Sequence, residues 1–290
     1  MIVVTGANGR FGRQVLEHLL HTQPAGDLVA SVRDPARAGE WERRGVPVRR
    51  GDFDDAASLG QAFAGADTVL LNATNYGTAP QARARQQATA VRAAEQARVR
   101  RIVFTSWPDL EAYPHDSAAD YRQTEKLLSG SGMAFSVLRL TYGLADVVAR
   151  DVRTALGTGV LTAPAGTART APAATGELAE ATANALVESG HDGAVLELTG
   201  PDAITWHDLA ALASTLAGTD IAYRSVSEQE FRRHSLANGF PEAVLDELIA
   251  IYAAFRAGWT ATPSADLTRL LHRPATPAGE AVRQAVQPPR

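Results

Sequence analysis

Met1-Ile-Val-Val-Thr-Gly-Ala-Asn-Gly-Arg-Phe-Gly-Arg13 is the stretch on which the fold turns. Ile2, Val3 and Val4 are β-favouring and show no polar alternation, the pattern of a strand buried on both faces of a parallel sheet. Three glycines follow at intervals of three, Gly6, Gly9 and Gly12. Val15, Leu16, Leu19 and Leu20 then recur at helical spacing, so the turn leads from strand to helix. Glycines in such a turn let the backbone bend sharply and let a ligand approach without meeting a Cβ. The N–H groups at the helix start, with the positive end of its dipole, suit a pyrophosphate. Glycines that merely seat helix on strand would account for Gly12 well, but for Gly6 and Gly9 poorly. The turn therefore reads as a dinucleotide site formed by Gly6, Asn8, Gly9, Arg10, Phe11 and Gly12.

Further strands are expected at Leu28-Val-Ala-Ser-Val32, Val46-Pro-Val-Arg-Arg50, Thr68-Val-Leu-Leu71, Arg101-Ile-Val-Phe-Thr-Ser106 and Phe135-Ser-Val-Leu-Arg139. Helices are expected between them, from Ser58 to Phe63, Pro80 to Ala97 and Ser117 to Leu128. This alternation means an α/β fold with a Rossmann-type, doubly wound parallel sheet, whose ligands sit at the carboxyl ends of the strands. From about Tyr142 the character changes, and Gly, Ala, Thr and Pro crowd residues 157–176, the pattern of loops with a short edge strand. Thereafter the reading is a helix Glu177 to Glu188, a strand Ala194-Val-Leu-Glu-Leu198, a helix Trp206 to Leu216, a strand Ile221 to Val226 and a helix Pro241 to Trp259. The final Pro-rich residues are expected to fray. The implied division is a nucleotide-binding domain over residues 1–150 and a smaller mixed substrate lobe over 151–290, with the strand at 194–198 returning to the main sheet.

Composition narrows the function classes. The chain has 290 residues, enough for a substantial core, and a net charge of −4, which makes no electrostatic case for nucleic acid or an anionic membrane. With no cysteine, thiol nucleophiles, disulfides and cysteine metal sites are excluded. No apolar leader precedes the first strand and no uncharged apolar run reaches membrane-spanning length, so a soluble cytoplasmic protein is the expectation. The seven histidines are scattered, and His18 and His21 lack a carboxylate set, so no metal is expected. Gly130-Ser-Gly132 lacks the strand–turn–helix serine elbow of hydrolases, and no Walker-type loop is present.

Residues at the other strand ends extend the nucleotide reading. Arg33 stands 21 residues after Gly12, where an acidic residue would bind ribose hydroxyls and an arginine would meet a 2′-phosphate. Both types are present, as Arg33 and Asp34, but Arg10 inside the glycine turn adds a second cation and tips the reading toward NADPH. Asp52 and Phe53 end the third strand, where an adenine edge and face would pass; a Gly-Asp pair is equally common turn language. Asn72, Ala73 and Thr74 follow the fourth strand and should run beside the ribose and nicotinamide.

Taken together, Thr5-Gly-Ala-Asn-Gly-Arg-Phe-Gly12, Val32-Arg-Asp-Pro35, Arg50-Gly-Asp-Phe-Asp-Asp55, Arg101-Ile-Val-Phe-Thr-Ser106 and Thr124-Glu125 through Leu138-Arg139 resemble the NmrA-like branch of atypical short-chain dehydrogenases/reductases, nearest to its NAD(P)H-dependent quinone oxidoreductase-type members. The resemblance covers nearly the whole chain. It implies a Rossmann domain with a smaller C-terminal substrate lobe, NADPH preference through Arg33, and reduction of a carbonyl, quinone or similar acceptor. Some relatives only sense the cofactor.

One departure from the superfamily pattern matters. Orthodox members place a tyrosine four residues before a lysine on one helix face, so that the lysine lowers the tyrosine pKa. Here Tyr121 and Lys126, the only lysine, are five apart. Five residues rotate about 140° around a helix, so the two side chains should not converge. Tyr121 matches the place where related branches carry a lysine or histidine near the nicotinamide, and it is the first candidate for an acid or positioning group. Ser106 is a candidate to hydrogen-bond a substrate oxygen, and Trp107, Tyr113, His115 and Tyr142 are candidates for a flat aromatic pocket. The expected activity is NADPH-dependent hydride transfer to a quinone or an aromatic, polyketide-like ketone. A non-catalytic NADP(H) sensor would also lack the dyad, whereas a nucleotide-sugar or isomerase-type enzyme would usually keep it.

Overall fold

A computed structural model of the chain describes residues 1–73, 79–114, 116–237 and 239–287. Its strands are β1 (Ile2–Thr5), β2 (Leu28–Val32), β3 (Val48–Arg50), β4 (Thr68–Leu71), β5 (Arg101–Ser106), β6 (Ala134–Leu140), β7 (Val160–Ala163), β8 (Arg169–Thr170), β9 (Val195–Leu198), β10 (Ile204–Thr205) and β11 (Ala222–Ser225). The helices through the middle of the chain are α1 (Arg10–Thr22), α2 (Gly39–Arg43), α3 (Ala56–Phe63), α4 (Pro80–Gln96), α5 (Ala119–Ser129), α6 (Leu144–Thr158) and α7 (Thr175–Val187). Toward the C-terminus come α8 (Trp206–Ala217), α9 (Glu228–Ala237), α10 (Leu245–Arg256), α11 (Asp266–Leu271) and α12 (Ala278–Val286).

Two compact units share the chain by interleaving. The first comprises Met1–Trp107, Asp116–Leu140 and Leu178–Glu197; the second comprises Pro108–His115, Thr141–Glu177 and Leu198–Arg290. The single cut after residue 150 expected from the sequence would fall inside α6.

The first unit is a Rossmann-type α/β sheet of seven strands in the order β3-β2-β1-β4-β5-β6-β9. Every pairing from β3 through to β6 is parallel. β9 is the returning strand, and its approach is fixed by Gly193 N donating to Phe135 O at 2.7 Å and Val137 N donating to Ala194 O at 2.9 Å. The order reverses at β1, which lies between β2 and β4, and such a switch point opens a crevice at the carboxyl ends of the strands. Val3, Val4, Leu16, Leu19, Phe63, Leu70 and Phe104 are fully buried around the sheet. These are the residues whose unbroken apolar pattern marked the strands and first helix, because both faces of a parallel sheet are covered.

Close approach of α1 to the end of β1 depends on glycine. A Cβ on Gly12 would lie 2.4 Å from Gly6 O and 2.9 Å from Gly6 C, inside any tolerable contact with backbone. Gly6 itself has φ +64°, in the left-handed region where a side chain is strained. Thus the first glycine shapes the turn and the third seats the helix.

The second unit is mostly helical, with β7–β11 and β8–β10 as separate two-stranded sheets. Its core centres on Trp206, whose ring lies 5.9 Å from Tyr252 and 5.3 Å from Phe255. Buried Asp151 is satisfied there by Trp206 Nε1 at 2.9 Å and the Tyr252 hydroxyl at 2.5 Å. The helix expected over Pro241 to Trp259 is a short 3-10 turn, Glu242–Val244, leading into α10.

Several elements differ from the sequence expectation. α6 occupies a stretch read as the approach to loops, burying Leu144, Val148, Val152 and Ala155. The C-terminal residues do not all fray: α12 buries Ala278, Ala281, Val282 and Val286, and Arg153 Nη1 donates to Ala285 O at 2.8 Å. That i, i+3, i+4, i+8 stripe is helical, but the prolines around it masked the pattern. α2 and α9 were also not anticipated.

The two kinds of glycine are separable by mutation. Gly12→Ala is expected to destabilise by at least about 1–3 kcal/mol through overpacking. By contrast, Gly60→Ala, within α3 and with nothing inside 4 Å of the new Cβ, should stabilise by about 0.5–1 kcal/mol. Denaturant titration of both variants checks the pair, and equal behaviour would contradict the packing role of Gly12.

Candidate functional site

The carboxyl ends of β1, β2, β4 and β5 build the site of the first unit. α1 begins at Gly9 with no side-chain cap and no acidic residue in its first turn, and Gly6 and Gly9 are exposed. Such an end offers backbone donors and a positive dipole to an anion, with no carboxylate of the helix competing. A Cβ on Gly9 would press to 3.2 Å of Gly6 O. The turn therefore leaves bare backbone beside the start of α1.

Two threonines at strand ends fix the neighbouring backbone. Thr5 Oγ1 donates to Leu70 O at 2.8 Å and accepts from Asn72 N at 2.9 Å. Thr105 Oγ1 accepts from Ala73 N at 2.9 Å and donates to Asn72 Oδ1 at 3.2 Å. Both hydroxyls are buried and satisfied, so the exit of β4 is stapled to β1 and β5. Asn72 and Ala73 stand half-buried beside the glycine turn, with Asn72 Nδ2 at 3.4 Å from where a Gly6 Cβ would lie. Thr74 and His115 lie outside the described residues. Neither Thr5 nor Thr105 was singled out from sequence, although a threonine closing a buried apolar strand is the signal that would have found them.

Arg33 and Asp34 separate cleanly in space. Asp34 accepts from Ala36 N at 3.1 Å and caps the short turn Pro35–Arg37, while Arg33 is exposed at the end of β2 and Arg10 is exposed in the glycine turn. Asp52 is engaged in its own turn, accepting from Asp54 N at 3.1 Å and from Arg50 at 3.4 Å, with Phe53 half-buried beside it. Asn8 also has nearby partners: its Nδ2 donates to Arg37 O at 3.2 Å and its Oδ1 accepts from Trp41 Nε1 at 3.2 Å.

At the end of β5 the structure gives Ser106 a protein partner. Ser106 is buried and its hydroxyl donates to Glu125 Oε1 at 2.6 Å. Glu125 is in turn held by Arg139, Nε to Oε1 at 3.1 Å and Nη2 to Oε2 at 2.8 Å, and Arg139 Nη1 reaches Glu197 at 3.1 Å. The Ser106 hydroxyl therefore joins a network tying β5, α5, β6 and β9 together.

Tyr121 is 5% exposed and stands among Trp107, with ring centroids 5.6 Å apart, Phe104 at 6.3 Å, and the Arg83 guanidinium 5.6 Å over its ring. Arg83 is paired with Asp120 through Nε to Oδ2 at 2.9 Å and Nη2 to Oδ1 at 3.1 Å. Burial pushes the Tyr121 phenol up to about 12; the Arg83 charge opposes this and Asp120 reinforces it. Lys126 is exposed on the other side of α5, in a shallow groove with Ala88 and Val91 of α4. The tyrosine–lysine dyad is absent, as the five-residue spacing required.

In the second unit, Tyr113 is a core residue and not an open pocket wall. Its ring packs edge-on against Trp259 at 4.9 Å, and Trp259 Nε1 donates to Pro108 O at 2.8 Å. Tyr142 is 38% exposed.

Comparison with known proteins places this geometry in a family. A family model described as NAD(P)H-binding matches residues 6–169. Quinone oxidoreductase 2 of Escherichia coli (strain K12) is 33% identical over 283 residues, covering 97% of each chain. An NmrA-like family domain-containing oxidoreductase of Aspergillus flavus is 27% identical, covering 97% of this chain and 94% of its own. The crystal structure of the Escherichia coli NADPH-dependent quinone oxidoreductase complexed with NADPH superimposes with a TM-score of 0.90 at 32% identity, over 98% of this chain and 99% of that one. Triphenylmethane reductase of Citrobacter sp., complexed with NADP(H), gives a TM-score of 0.90 at 30% identity, over 98% and 100%. The chain belongs to the NAD(P)H-binding, NmrA-like branch of the atypical short-chain dehydrogenases/reductases, and it is an oxidoreductase.

Proposed function

We propose that this protein is a cytoplasmic NADPH-dependent reductase that passes hydride to a quinone or a comparable flat aromatic ketone. The observation that carries the reading is the Tyr121–Trp107 aromatic pair at the end of β5, Tyr121 buried and Trp107 half-buried, with Lys126 turned away from it. Without a lysine to lower its pKa, Tyr121 is a poor general acid near neutral pH. An acceptor that spreads the developing charge over its own conjugated oxygens suits such a site, and water supplies its proton. Relatives named for quinone and triphenylmethane reduction support the same class. No helix among the described residues is long and apolar enough to cross a membrane.

The residues divide the work accordingly. Gly6, Gly9, Gly12 and the start of α1, with Phe11, hold the pyrophosphate. Arg33, with Arg10, meets the 2′-phosphate, because the neighbouring Asp34 carboxylate is occupied by Ala36 N. Phe53 and Asp52 border the adenine, and Asn72 and Ala73 border the ribose and nicotinamide. When bound, the nicotinamide supplies the hydride. Trp107, half-buried and backed by the Tyr121 ring, presents the aromatic surface that orients a flat acceptor. Ser106 acts on the site only through the Glu125 network.

Mixing the purified protein with NADPH and a panel of quinones and aryl ketones, while following loss of NADPH absorbance, tests the activity directly. Turnover on at least one acceptor is expected; tight cofactor binding without turnover on any would overturn the reductase reading in favour of a sensing role.

Two substitutions probe the roles. Ser106→Ala should keep kcat within about threefold while costing about 1.5–3 kcal/mol of stability for the lost hydrogen bond to a carboxylate. A drop in kcat of two orders of magnitude would restore Ser106 to the chemistry. Tyr121→Phe should leave the kcat profile between pH 6 and 10 without a new or missing limb, since a phenol at about 12 stays protonated across that range. The same raised value affects stability. Between the unfolded value near 10 and the folded value, only the unfolded state loses the proton. Stability is therefore fully present below pH 10 and falls as pH rises toward 12. Tyr121→Phe should remove about 2 kcal/mol of that fall, read from denaturant melts at pH 9 and pH 12.

A further inference from the structure

Asn8 sits in the glycine turn, yet its side chain reaches across to the segment that follows β2. Its Nδ2 donates to Arg37 O at 3.2 Å and its Oδ1 accepts from Trp41 Nε1 at 3.2 Å. The orientation of the amide is settled by chemistry, because a carbonyl only accepts and an indole N–H only donates. Aspartate or serine could not satisfy the two at once in the same way, since one lacks the donor and the other has a single short hydroxyl.

The far end of this link is held rigidly. Trp41 is fully buried, with Arg13 and Arg44 guanidinium groups over its ring at 5.3 and 5.2 Å. Arg13 pairs with Glu40 at 2.5 Å. The Pro35–Arg37 turn is closed by Asp34, which accepts from Ala36 N, and by Ala38 N donating to Pro35 O at 2.9 Å. Arg33 stands immediately before that turn. One amide therefore joins the turn read as the pyrophosphate cradle to the turn that carries Arg33.

We propose that Asn8 is a positioning residue for cofactor selection: it does not bind the pyrophosphate, but ties the Arg33-bearing turn to the glycine turn and so sets the preference for a 2′-phosphorylated nucleotide. The proposal rests on the NADPH reading of Arg33. A strut of this kind holds the Arg33 segment, and with it the second subsite, in place. Its loss weakens ligands that need the second subsite and spares those that use only the first.

Calorimetric titration of wild type, Asn8→Ala, Trp41→Phe and Arg33→Ala with NADPH, NADH and adenosine 2′-monophosphate tests this. Asn8→Ala should weaken NADPH and adenosine 2′-monophosphate by about tenfold while NADH affinity stays within about twofold. Trp41→Phe, which removes the indole donor together with part of a buried ring, should shift the NADPH:NADH ratio in the same direction by about threefold, and keeps the test open should Asn8→Ala fold poorly. A purely structural weakening would lower both cofactor affinities together and leave their ratio unchanged. Equal loss of NADPH and NADH affinity in Asn8→Ala, with the ratio unchanged, would overturn the proposal. If Arg33→Ala collapses the ratio but Asn8→Ala and Trp41→Phe do not, only the strut is wrong. If Arg33→Ala leaves the ratio unchanged, the 2′-phosphate reading fails, and the strut fails with it.

Discussion

The absence of a side chain on Gly12 is the constraint from which the rest of the first unit follows. Backbone of α1 lies against backbone of the β1 exit so closely that a single methyl would meet Gly6 O at 2.4 Å. This proximity seats the start of α1 against the exit of β1. The N-terminus has no side-chain cap of its own. Stability that a serine or aspartate cap would contribute, on the order of 1 kcal/mol, is forgone there, which is consistent with an end kept open for an anion.

Around that turn, strand ends are held by side chains that serve the scaffold. Thr5 and Thr105 fix the β4 exit from both sides. Ser106, Glu125, Arg139 and Glu197 connect β5, α5, β6 and β9 through hydrogen bonds with charged partners at every step. Such a network strongly opposes loss of one member, because the others would be left partly buried and unpaired. Beside it, Tyr121 is desolvated and flanked by rings, with Arg83 neutralised by Asp120. The site end of β5 thus combines a rigid polar frame with an aromatic surface, and the acid that orthodox relatives place here is missing.

Much of this was legible in sequence where the determining interactions are local. The glycine spacing, the apolar strands and the position of Arg33 are all set within one turn or one element. The five-residue spacing of Tyr121 and Lys126 is helix arithmetic, and it holds. Where the partner is remote, the sequence does not name it. Ser106 meets Glu125, 19 residues away, and Asn8 meets Arg37 and Trp41, 29 and 33 residues away. Tyr113 looked like a pocket wall because Trp259 is distant in sequence, and α12 was hidden among prolines although its stripe packs on α6.

Backbone-level features, then, were decided by the sequence itself: a parallel sheet from unbroken β-branched runs, a nucleotide turn from glycines that alone permit its geometry, and no dyad from a helix period that cannot be evaded. Side-chain roles were decided by tertiary structure. A hydroxyl, amide or phenol has the same chemistry in any chain, and what it does depends on which partner folding brings within hydrogen-bonding distance and how much water folding removes. For Ser106, Asn8 and Tyr121 those partners come from other elements, so only the folded chain assigns them.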